Sequence, residues 1–80
     1  MSVQSNIVHQ YFKKEIEGSK ILVKVNPVHL TGMEMIVYAN GQLDTRPIEF
    51  DEAIWEDLST DGFVEVSGME FNLLLSGLAK

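Results

Sequence analysis

The sequence predicts a single α+β domain over residues 1–80: a three-stranded antiparallel meander, with room for a fourth short strand, and an N-terminal helix and two C-terminal helices packed mainly on one face. Three observations carry this expectation. Ile7, Val8, Tyr11, Phe12 and Ile16 recur at helical spacing, the apolar period drops to two from Ser19 onward, and Asn40-Gly41 stands as a turn signal between two apolar runs.

Taken in order, the first helix is expected over about residues 6–17, with Ser5 or Asn6 as cap and Gly18 as stop. Ile21, Val23 and Val25 then alternate with Lys20 and Lys24, β-branched residues dominate, and a strand begins near Ser19; Leu22 falls out of phase. Asn26 and Pro27 interrupt this strand, Val28 and Leu30 resume it, and Thr31-Gly32 turns the chain back. Strands 33–39 and 42–49 pair through a two-residue type I′ turn at Asn40-Gly41, which sets Tyr38 opposite Leu43, Val37 opposite Asp44, Ile36 opposite Thr45 and Met35 opposite Arg46. Prolines at 27 and 47 make the flanking strands the edges and 33–39 the centre. Asp51 caps a short helix through about Leu58, with Phe50 and Trp55 placed as a hydrophobic staple. Phe63–Val66 reads as the short fourth strand, and Ser67 with Glu70 forms a capping box for a last helix over about 68–79.

Composition narrows the function. Of 80 residues 45% are hydrophobic, 6 are basic and 12 acidic, for a formal charge of −6. Enough apolar surface exists to fold, and little remains to enclose an active site in so small a chain. Without cysteine there is no disulfide, thiolate metal site or thiol nucleophile. The N-terminus lacks an export signal and no run approaches the ~18 apolar residues of a membrane span, so the expected location is cytoplasmic with no membrane partner. Residues 31–80 hold two basic and ten acidic groups, which disfavours nucleic acid as a partner.

Groups able to do chemistry are sparse. His9 and His29 are the only imidazoles, they are isolated, and neither stands in HxH or HxxxH spacing; the six glycines are scattered as turn and cap residues rather than gathered into a phosphate cradle. The expectation is therefore no enzyme, no cofactor and no metal. Asp57, Ser59 and Asp61 do follow the spacing of calcium-loop positions one, three and five, with Gly62 at the turn position six and Glu65 nearby. The twelfth position is Gly68, so the bidentate carboxylate is missing and the segment reads as a weak divalent-cation alternative. The acidic stretch 44–61, seven carboxylates against Arg46, supplies a further alternative: mimicry of nucleic acid toward a basic protein.

The stronger signal is apolar. In the last helix Phe71, Leu74, Leu75 and Leu78 share one face, while Met69 and Leu73 project from nearly the opposite side. On the hairpin, Met33 and Met35 are expected beside Gln42, Asp44 and Arg46 on a mixed surface. Met69, Leu73, Met33 and Met35 are thus the candidate residues for a protein partner or for self-association, the alternative being that the first helix or the short helix over 51–58 covers Met69 and Leu73 within the chain and that the hairpin methionines fill gaps.

Overall fold

A computed structural model describes residues 8–76. Five strands, β1 (Gln10–Ile16), β2 (Ser19–Asn26), β3 (Thr31–Val37), β4 (Leu43–Glu49) and β5 (Val64–Val66), form one antiparallel sheet in the order β4-β3-β2-β1-β5. Two helices complete the fold: α1 (Ile54–Thr60) between β4 and β5, and α2 (Gly68–Ser76) after β5. This corrects the expected architecture in three respects. The sheet has five strands rather than three, no helix precedes β2 among the described residues, and the helices lie on opposite faces.

The largest correction is the segment expected as the first helix. Tyr11 and Phe12 are neighbours in β1 and therefore point to opposite sides of the sheet. Tyr11 packs against the cluster of Leu22, Met35, Phe71 and Leu74, and Phe12 against that of Val23, Val25, Ile54 and Leu58. A strand with apolar residues on both faces loses its alternation, and adjacent apolar pairs then imitate helical spacing. Gly18 does not stop a helix: with Glu17 at φ 49° and Gly18 at φ 86°, the pair makes the tight turn that joins β1 to β2. The proposed caps, Ser5 and Asn6, and Ile7 lie outside the described residues.

The same reasoning accounts for Leu22. The middle of the sheet is β2, not 33–39, and its run Leu22-Val23 is buried on both sides, Leu22 under one helix and Val23 with Val25 under the other. Residues 27–30 form the turn to β3 rather than an extension of β2. Asn26 Oδ1 accepts hydrogen bonds from the backbone N–H groups of Val28 (2.9 Å) and His29 (3.1 Å), and Leu30 closes the loop at φ 56°.

The β3–β4 hairpin forms where expected, with its register moved by one residue. Only Gly41 in its loop has positive φ (91°). Gly41 N–H donates to Tyr38 C=O (2.9 Å) and Tyr38 N–H donates to Gln42 C=O (2.9 Å), so the loop is the three residues 39–41. Asn40 instead uses its side-chain oxygen to accept from Gln42 N–H (2.9 Å). In the observed register Met35 faces Thr45, Ile36 faces Asp44 and Val37 faces Leu43. Because side chains alternate, that single step carries Asp44 and Arg46 to the side opposite Met33 and Met35.

Each face has its own core. On one, α1 lays Ile54 and Leu58 on Val23 and Val25, ringed by Phe12, Leu30, Phe50, Trp55 and Phe63. On the other, α2 lays Phe71 and Leu74 on Leu22 and Met35, flanked by Tyr11, Met33 and Val37. Asp51 does not cap α1 directly. The helix begins two residues later, after Ala53, whose N–H donates to Asp51 Oδ1 (3.0 Å) in a preceding turn.

Candidate functional site

The outer face of α2 carries part of the exposed apolar surface, at Met69 and Leu73. Ser67 Oγ accepts from Glu70 N–H (3.2 Å), the first half of the expected capping box. The Glu70 carboxylate turns instead to Lys13 on β1, accepting a hydrogen bond from its ammonium group. That bond, reinforced by the charges of Glu70 and Glu15 and partly opposed by burial, holds the Lys13 pKa above its ordinary value. Gly68 lets the first turn sit on Tyr11, because a Cβ there would stand 2.8 Å from the ring. Thus clamped, α2 commits Phe71 and Leu74 to the sheet and leaves Met69 71% and Leu73 39% exposed on the reverse side.

Beside the end of α2 lies an open cavity of about 500 Å³, lined by Val37, Leu43, Leu74, Leu75 and the two hairpin turns at Gly18 and at Ala39 and Gly41, with Lys20 on its wall. Leu43 and Leu75 are exposed there. Leu78, expected on the inward stripe of this helix, lies outside the described residues.

The hairpin methionines are placed differently from expectation. Met35 is fully buried beneath α2, and Met33 is half-buried against the same cluster. The cause is the register: the polar residues expected beside them belong to the opposite face, so the pair supplies core rather than partner-facing surface. On that opposite face, Arg46 Nε donates to Glu34 Oε1 (2.7 Å) and Tyr38 donates its hydroxyl to Asp44 (3.0 Å), which raises the phenol pKa. These groups border a shallow depression over Ile36.

The calcium-like segment is drawn into regular structure. Asp57 and Ser59 lie in α1, Asp61 ends it with its N–H donating to Asp57 C=O (2.9 Å), and Glu65 is in β5 opposite Phe12. Among the described residues no group of three carboxylates or imidazoles is arranged to hold a metal ion. His9 is half-buried just before β1, and His29 is exposed in the β2–β3 turn. No helix among the described residues is long and apolar enough to cross a membrane.

The sequence carries no sign of the Lys13–Glu70 clamp, whose partners stand 57 positions apart, or of the cavity, which exists only because α2 crosses two hairpin ends. Comparison with protein-family models, curated proteins and solved structures finds no match to the chain.

Proposed function

We propose that this domain is a non-enzymatic protein-interaction module that engages a protein partner through Met69 and Leu73 on the outer face of α2. The observation that supports it is their exposure on a helix whose other face is anchored by buried Phe71 and Leu74 and tied down by Lys13–Glu70. A helix held this way presents its outer side chains without further ordering, which lowers the entropic cost of association. Covering the exposed parts of two such side chains is worth roughly 2 kcal/mol. That is enough to seed a specific interface and too little to complete one, so polar contacts around the pair must contribute. Methionine suits the role because its unbranched side chain adapts to irregular surfaces. The formal charge of −6 favours a partner with a basic rim.

The test is the double variant Met69→Asp, Leu73→Asp. It should keep the wild-type circular dichroism spectrum and lose a partner identified by pull-down and mass spectrometry with the wild-type protein. Unfolding of the variant would show that the two residues are internal packing, and binding unaffected by it would place the interface elsewhere.

A further inference from the structure

The edge of the sheet formed by β4 is open. Every residue of β4 except Ile48 is exposed, and no strand lies beyond it among the described residues. The bonds from Phe50 N–H to Leu30 C=O and from Tyr38 N–H to Gln42 C=O set the phase of the β3–β4 ladder. Asp44, Arg46 and Ile48 turn their backbone groups toward β3, and Leu43, Thr45, Pro47 and Glu49 turn theirs outward. Pro47 therefore costs the fold nothing, since its missing N–H faces away from β3, and it blunts this edge against any strand that needs a donor there.

We infer that a second copy of this chain pairs with β4, antiparallel about a two-fold axis through Thr45, joining the two sheets edge to edge. Three neighbouring two-fold registers use the outward backbone groups. One sets Asp44 against the partner's Asp44, another sets Arg46 against the partner's Arg46, and the one centred on Thr45 sets Asp44 against the partner's Arg46 in both directions. Charge selects the last. Arg46 is prepared for it: its Nε is committed to Glu34 while its side chain remains 70% exposed, so the outer edge of the guanidinium is free for a second carboxylate. In this register Thr45 donates to and accepts from the partner's Thr45, and Leu43 N–H donates to the carbonyl of the partner's Pro47, which proline retains. Four backbone bonds form, and two are forgone at the prolines.

An edge contact of this length falls below the roughly 1,000 Å² of a stable complex, so the pairing belongs to the weak, concentration-dependent class. It is independent of the α2 surface, and the Met69→Asp, Leu73→Asp variant should leave it unchanged.

Sedimentation velocity from about 10 μM to about 1 mM tests it. The wild type should pass from monomer toward dimer over that range. Pro47→Thr restores the outward donor and should tighten the dimer roughly tenfold. Thr45→Pro removes an outward donor that β3 does not use and should be monomeric throughout, with an unchanged circular dichroism spectrum. Asp44→Asn, which alters no backbone bond, should weaken the dimer roughly threefold and serves if Thr45→Pro fails to fold. A wild type that stays monomeric at about 1 mM, or a dimer that survives Thr45→Pro, overturns the inference.

Discussion

The two faces of the sheet solve the same burial problem with different success. Under α1, aromatic residues close the space: Phe12, Phe50, Trp55 and Phe63 surround Val23, Val25, Ile54 and Leu58, and the Trp55 indole N–H donates to Gln10. No large hydrophobic residue of α1 is exposed. Under α2 the centre is equally dry, but Leu43, Val64, Met69, Leu73 and Leu75 are exposed around it and a cavity opens at its end. A short helix can seal one face if bulky rings fill its margins. The α2 face has only Tyr11 and Phe71 for that purpose, their ring centroids 5.3 Å apart at the centre rather than the rim. The difference leaves α2 with exposed apolar residues of its own and α1 with none.

Substitutions that break each face should rank accordingly. Gly32→Ala should be the most damaging, because its Cβ would lie 1.7 Å from the Lys24 carbonyl oxygen and 3.0 Å from the Phe50 ring. The strand must shift and the α1 face opens, so no cooperative unfolding transition should remain in a urea titration. Phe71→Ala empties the centre of the α2 face and should cost about 3–5 kcal/mol, against about 2–4 for Leu58→Ala on the other side, both read from chemical denaturation. If Leu58→Ala proved the costlier, the aromatic margin of the α1 face would be rigid rather than self-sealing. Gly68→Ala should cost about 1–3 kcal/mol as the added methyl meets the Tyr11 ring.

The Lys13–Glu70 clamp sharpens the comparison by a smaller amount. A lysine whose folded pKa is raised contributes stability that is fully present below its ordinary value of 10.5 and is lost as pH rises through the folded value. Thermal melts should therefore be flat in this contribution up to about pH 10 and fall above it, by less than about 1 kcal/mol for a half-buried pair that solvent still screens. Glu70→Gln should abolish that alkaline dependence. Least of all, Met69→Gln should change stability by under about 0.5 kcal/mol, since the side chain touches mainly solvent.

Much of the hairpin region was legible from sequence because its signals are local. The strand after Ser19, the turn around Asn40-Gly41, the short strand before Ser67 and the start of the last helix each depend on residues a few positions apart. The exposed pair Met69 and Leu73 could be placed opposite Phe71 and Leu74 for the same reason: helical phase within nine residues suffices. Tyr11-Phe12 defeated that logic. Its pattern suits a helix in isolation, and only β2 on one side and β5 on the other, with a helix above and below, make the extended form the one that buries both rings. The methionines failed through the hairpin loop, where one extra residue reversed their surroundings.

By itself the sequence determined the number of apolar groups and the place of the turn between β3 and β4, since these are properties of composition and near neighbours. Tertiary structure alone decided that residues 10–16 are a strand, that Met35 is core and Asp44 surface, and that the helices take opposite faces. Those outcomes follow from hydrogen-bond register and two-sided burial, which are set by partners distant in the chain and carry no local signature.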